Sequence, residues 1–280
     1  MMTPDTAMTR DAIRERQMAI IATLGVRPVI DAAFEVERRV SFLCDVLVQS
    51  GQTGFVLGIS GGQDSFNAGK LAQLAVDRLN RDTAGDPYHL YAIRLPYGQQ
   101  RDAADAEKAI EAIRPTDSLV YDIQPAVDAV ASLWAAQGMA LSDFVKGNLK
   151  ARIRMVVQYD LAGERHALVI GTDHAAEAVS GFYTKWGDGA CDLTPLGSLD
   201  KRQGRMLAAH LGAPRAILEK APTADLLDNV PGQPDETELG MTYDDVDAFL
   251  EGRPVNPEVA ERIIRRYDKT EHKRAPIPRI

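Results

Sequence analysis

The chain has 280 residues, a formal net charge of −8 and 45% hydrophobic residues. That hydrophobic share excludes disorder as the main state. The acidic balance argues against nucleic acid as a ligand, because phosphate backbones want clustered Lys and Arg.

The length admits one large domain or two small ones. With no repeat and no low-complexity linker, a single domain over 1–280 is the expectation. Cys44 and Cys191 form no CxxC pair, so neither a zinc knuckle nor a redox dithiol is supported. Isolated thiols suit a reducing cytoplasm. The first twenty residues include Asp5, Arg10, Asp11, Arg14, Glu15 and Arg16, unlike a signal peptide. No apolar run approaches the ~20 residues of a membrane span.

In chain order, Val29 to Val48 predicts an amphipathic helix, with Val36, Val40, Leu43 and Leu47 on one face. Glu35, Glu37, Arg38 and Arg39 suit its wet face. Phe55 to Ile59 reads as a buried strand, followed by a helix through Leu71, Leu74, Ala75 and Leu79. Tyr88 to Leu95 is the next strand, Ala103 to Ile113 a helix and Ser118 to Ile123 a strand. Helices are expected at Ala126 to Ala136 and Asp143 to Leu161, then a fourth strand at His166 to Gly171. Beyond it, Gly181 to Ser198, Lys201 to Leu211, Tyr243 to Leu250 and Pro257 to Arg266 read as helical, and Pro222 to Asp235 as a mobile loop. Strands apolar on both faces, alternating with helices, predict a parallel sheet covered by helices, a three-layer α/β fold. Trp134 and Trp186 read as packing residues.

Gly58, Ile59, Ser60, Gly61, Gly62, Gln63, Asp64 and Ser65 lie where the first strand passes into a helix. Ligands of open parallel sheets bind at such carboxyl ends. Glycines bring backbone N–H groups close to an anion, and the helix start adds its own. Asp64 alone would repel phosphate, so its presence points to a bridging Mg2+. No Lys-Ser or Lys-Thr follows Gly61-Gly62, so this is not the usual P-loop. The plain alternative is a helix start capped by Ser and Asp.

The segment resembles the signature of the ATP-pyrophosphatase superfamily, which splits ATP between α and β phosphates and adenylates a substrate. The later segments are Gly171 to Glu177, Gly181 to Gly189, Asp192 to Leu196 and Lys201 to Arg205. Pro222 to Leu226, Asp235 to Gly240 and Thr270 to Arg274 complete the set. In this order and spacing they resemble the bacterial ammonia-dependent NAD synthetases. The resemblance implies an adenine-nucleotide alpha-hydrolase-like fold. It also implies deamido-NAD, ATP and ammonia as substrates, Mg2+ as cofactor, and a homodimer to which the N-terminal helices contribute. The stripe of Val36, Val40, Leu43 and Leu47 is then either core or dimer face, with the dimer face favoured.

The resemblance assigns Asp64 and Glu177 to Mg2+, Thr172 and Thr223 to ATP, and Lys201 to phosphate. It assigns Asp173 to ammonia, with a helix N-cap as an equal alternative. Arg152, Lys185, Asp192, His272 and Lys273 fall to deamido-NAD, and Tyr183 is a weaker candidate for nicotinate. Solvated surface charge is the competing reading for Arg152, His272 and Lys273. Phe66, Asp200 and Cys191 depart from the family pattern, and Asp200 threatens to weaken phosphate binding by Lys201.

A tRNA-modifying adenylating enzyme would want a basic surface and reactive cysteines. A non-catalytic nucleotide-binding module would not retain Asp64, Glu177, Lys185 and Lys201. Use of glutamine would need a glutaminase domain of hundreds of residues, so free ammonia is the expected nitrogen source.

Overall fold

The computed structural model describes residues 8–85, 87–98, 103–221, 226–230 and 232–280. Helices α1 (Arg10–Leu24) and α2 (Ala32–Ser50) precede strand β1 (Gly54–Gly58) and α3 (Gln63–Arg81). Then come β2 (His89–Arg94), α4 (Ala103–Ile113), β3 (Asp117–Val120), α5 (Gln124–Ala135), α6 (Asp143–Arg165) and β4 (Ala167–Val169). The remainder comprises α7 (Ala175–Ser180), α8 (Lys201–His210), α9 (Arg215–Leu218), α10 (Asp235–Leu239), α11 (Tyr243–Leu250), α12 (Pro257–Lys269) and α13 (Glu271–Arg274).

The strands form one parallel sheet in the order β3-β2-β1-β4. β1 is central and buried on both faces, which is why it reads as an unbroken apolar run. Phe55 and Leu57 pack under α2, α3, α4 and α8, while Val56 joins a second cluster with Ile93, Val127, Ala162 and Val169 under α5 and α6. A third cluster unites α1, α7, α11 and α12 beside the sheet. The expected three-layer parallel architecture is therefore the one observed.

Several expectations need correction. Val40, Leu43 and Leu47 are buried in the chain's own core, with Val36 packed against them. That stripe is core rather than a subunit face. Glu35 and Arg39 are buried too, paired at 3.0 Å. β3 ends at Val120; beyond it the Tyr121 and Ile123 N–H groups still donate to the Arg94 and Pro96 carbonyls, but Pro96 has no N–H to return a bond. Gly181 to Ser198 is not helical. Gly181 and Trp186 take positive φ, Asp188 accepts the Thr184 N–H and Asp192 accepts the Val169 N–H. Those side chain–backbone bonds replace a helical ladder. Trp134 and Trp186 are exposed rather than packed. No helix among the described residues is long and apolar enough to cross a membrane.

Candidate active site

The chain leaves β1 at Gly58 and turns into α3 through a loop laced by two serines. The Gly62 N–H donates to Ser60 Oγ at 3.2 Å, and the Ser65 hydroxyl donates to the Gly62 carbonyl at 3.1 Å. Gly61 sits at φ 78° so that the loop can lie directly on α4. The N-cap of α3 is Gly62, and no side chain caps the helix. Its first N–H groups thus face the end of the sheet with a positive dipole behind them, a ready anion site.

A cavity of about 310 Å³ opens there. Its wall includes Gly58, Ile59, Ser60, Gly62, Gln63, Asp64 and Ser65, joined by Thr172, Glu177 and Lys201 from distant parts of the chain. Gly61 lies behind the loop against α4 rather than on the wall. Thr223 lies outside the described residues. Arg154, Asp188, Arg205 and Lys220 also line the cavity.

Lys201 opens α8, whose start is closed to ligands. Asp200 accepts the Gln203 N–H at 2.7 Å, and Asp247 accepts the N–H groups of Lys201 and Arg202 at 3.0 and 2.9 Å. The helix therefore contributes its Lys201 side chain and no backbone donors. The ammonium donates to Asp64 Oδ2 at 2.7 Å and lies 5.1 Å from the Tyr243 ring centroid. Asp200 is a buried N-cap, so it serves the helix, and Lys201 stays held by Asp64. Phe66 fills the core, and Cys191 Sγ packs against Gly171. None of the three departures disturbs the cavity.

His174, not Asp173, is the N-cap of α7. Its Nδ1 receives the Glu177 N–H at 3.4 Å, and Glu177 Oε2 receives the His174 N–H at 3.3 Å. His174 Nε2 stands 3.8 Å from Asp64, 3.6 Å from Glu177 and 3.3 Å from Lys201 Nζ. A neutral imidazole has one lone pair, so it serves only one of its two N–H neighbours at a time. Burial, helped by Lys201, pushes the His174 pKa down to about 4, so the ring is neutral.

Ligand atoms of Asp64, His174 and Glu177 lie within 4.8 Å of one another. Burial would raise Asp64, but the Lys201 ammonium that it pairs with outweighs this and holds its carboxyl below the usual range. Glu177 is pushed well up, by burial and then by Asp173 and Asp64. Burial, followed by Asp188, does the same to Asp173, and burial raises Asp188. Asp64 and Glu177 crowd against the Lys201 ammonium, and Lys273 faces Asp173 and Asp188, so four carboxyl groups meet two ammonium groups. Hard oxygen donors in that state suit a divalent cation such as Mg2+, with Asp64 and Glu177 as its carboxylates.

The remaining expected residues lie off the cavity. Asp173 lines a neighbouring recess with Tyr183, Tyr267 and Arg274. Arg152 reaches the Lys185 carbonyl at 3.5 Å, and Lys185 Nζ donates to the His272 carbonyl, so these three meet at one surface. Lys273 Nζ is spent on the carbonyls of Gly181 and Tyr183, at 2.7 and 2.5 Å. Asp192 ties its loop to β4 through the Val169 N–H at 2.7 Å. Sequence reasoning passed over His174 and Asp188, although both fall inside segments that carried the resemblance. Tyr243 had no sequence signal.

Uncapped helix, glycine loop, carboxylate cluster and lysine at the sheet's carboxyl edge define an α/β nucleotide-binding protein that handles phosphate. Comparison with known proteins narrows the class. The NAD synthase family model matches residues 35–277. An NH(3)-dependent NAD(+) synthetase of Exiguobacterium sibiricum is 56% identical over 258 residues, 92% of this chain and 95% of its own. One of Deinococcus radiodurans is 56% identical over 257 residues, 91% of this chain and 89% of its own. The chain belongs to the NAD synthase family. Its fold superposes on the NAD+ synthetase of Burkholderia pseudomallei with a TM-score of 0.82 at 48% identity, covering 96% of this chain and 99% of that one. NMN synthetase from Francisella tularensis gives 0.78 at 35% identity, covering 90% and 99%.

Proposed function

We propose that the chain is a ligase that amidates deamido-NAD with free ammonia at the expense of ATP, giving NAD, AMP and pyrophosphate. The observation that carries this reading is the convergence of the Ser60–Ser65 loop and uncapped α3 with Asp64, Glu177 and Lys201 in one cavity.

A nicotinate carboxylate is a poor acyl donor. Its oxygen attacks the α-phosphorus of ATP, pyrophosphate leaves, and a mixed anhydride with AMP forms. The ammonia nitrogen then attacks the carbonyl carbon, loses a proton, and AMP leaves. Both steps gather negative charge, at phosphorus and then at the carbonyl oxygen. Backbone N–H groups of the loop and the Lys201 ammonium lie where such charge is stabilised. Thr172 and Thr223 contribute to the ATP site. Asp64 and Glu177 hold Mg2+, which supplies charge neutralisation for the phosphates. Asp173, raised by burial and by Asp188, is a stronger base than an ordinary carboxylate and takes a proton from ammonium. Arg152, Lys185, Asp192, His272 and Lys273 form or support the deamido-NAD side.

The protein works as a cytoplasmic homodimer of single-domain subunits. Leu133, Phe144, Val145 and Val156 are exposed along α5 and α6, with Val120 on the adjacent edge strand. A second copy docked on that face would cover these side chains. Phe144→Glu should then yield monomers in light scattering; an unchanged dimer would remove the face from consideration.

The decisive assay follows NAD from deamido-NAD, ATP and Mg2+ with ammonium or glutamine. NAD with ammonium is the expected result. No NAD with ammonium would overturn the activity, and turnover with glutamine alone would overturn the nitrogen source. Nicotinate mononucleotide as competing substrate tests the reading that the Francisella likeness raises.

A further inference from the structure

Trp186 is 52% exposed, yet its backbone sits at φ 62°. A bulky residue in the left-handed region is an outlier that Gly or Asn would occupy with less strain. The surrounding turn over-determines this conformation without using the ring. The Thr184 N–H donates to Asp188 at 3.0 Å, the Thr184 hydroxyl donates to Asn148 at 2.7 Å, and the Gly187 N–H donates to the Thr184 carbonyl at 2.9 Å. Gly187 lets the turn sit on α6, where a Cβ would come within 3.0 Å of Ala151. The fold therefore leaves Trp186 about half exposed, on a turn whose hydrogen bonds do not involve the indole.

Its neighbours are cationic. Lys185 Nζ stands 5.3 Å from the ring centroid, and Arg152 reaches the Lys185 carbonyl from α6. Two residues on, Asp188 lines the reaction cavity, whereas Trp186 itself does not. A rigid aromatic face flanked by cations, just outside a cavity where a carboxylate meets a phosphorus, matches a dinucleotide. The reacting end enters the cavity, the pyrophosphate meets the cations, and the distal base finds a ring to stack on.

We propose that Trp186 is the stacking contact for the adenine half of deamido-NAD and sets preference for the dinucleotide over the mononucleotide. The inference rests on the amidation reading above, and wild-type NAD formation tests that reading separately. The experiment compares W186G, W186A and W186F with wild type, using deamido-NAD and nicotinate mononucleotide as alternative substrates. W186G removes the ring and relieves the positive φ, so loss of folding does not confound it. The expected result in W186G and W186A is a deamido-NAD KM raised about tenfold or more, as loss of base stacking requires. The ATP KM, kcat and mononucleotide kinetics stay at wild-type values. W186F should recover most of the KM, because a π-face is what counts. Deamido-NAD should quench tryptophan fluorescence in wild type and not in W186F. An unchanged deamido-NAD KM in W186G overturns the proposal. An equal rise for both substrates also overturns it, by placing the ring on the nicotinate half.

Discussion

Replacing Gly61 by Ala perturbs the phosphate loop where it is tightest. Gly61 has φ 78°, and a Cβ there would lie 2.5 Å from Ala106 N and 2.7 Å from the Asp105 carbonyl carbon, both backbone atoms of α4. The left-handed conformation costs a non-glycine residue about 1–2 kcal/mol. No rotamer relieves the clash, because its partners are main chain. The contact falls about 1 Å short of ordinary separation, so loop and helix must move apart. Overpacking of that kind adds about 1–3 kcal/mol. Gly51 makes the control: its φ is 69°, but nothing lies within 4 Å of the added carbon. G51A therefore carries the conformational cost alone. Urea unfolding of both variants should separate them by the clash, about 1–3 kcal/mol. A loop displaced by ~1 Å should also lower NAD turnover about 100-fold in G61A, with G51A near wild type. Equal unfolding midpoints and normal turnover in G61A would refute the close approach to α4 as a structural requirement.

Asp64→Asn removes the carboxylate that faces Lys201 and Glu177, and turnover should fall at least about 100-fold; wild-type rates would end its metal role. Asp173→Asn should raise the KM for ammonium. It should also stabilise the protein at neutral pH, since a buried acid whose pKa is raised costs stability once ionised. Unchanged turnover at limiting ammonia would take Asp173 off the catalytic list. Asp200 is pushed up to about 7 by burial and then by Asp247, and Asp247 itself to about 6 by burial. Between pH 4 and 7 the folded state then binds more protons than the unfolded state, so stability should fall as pH rises through that window. Asn keeps the N-cap, so D200N should flatten the dependence and raise the urea midpoint at pH 8. A pH-independent wild-type midpoint would contradict the raised pKa values.

Local pattern made much of the fold legible. Ala103–Ile113 and Tyr243–Leu250 match their expected bounds because apolar spacing acts within one element, and Thr242 caps the second of them. The segment after Gly181 failed because Asp188 and Asp192 spend their carboxylates on backbone N–H groups, which helical periodicity does not register. Likewise, the spacing of Val40, Leu43 and Leu47 said that this face is covered. That α3 and α8 of the same chain cover it is a matter of packing.

The site divides in the same way. The Ser60–Ser65 loop is contiguous, so its glycines, serines and Asp64 could be read directly as an anion site at a strand end. Lys201 meets Asp64 at 2.7 Å from 137 residues away, with His174 and Glu177 alongside. Sequence determined which residues are candidates to bind phosphate and metal, because that chemistry belongs to each side chain and its immediate turn. Tertiary structure decided which charges face one another, that Asp200 caps a helix instead of opposing Lys201, and that Lys273 staples two carbonyls. Charge compensation and burial depend on distance through space, and only the folded chain sets those distances.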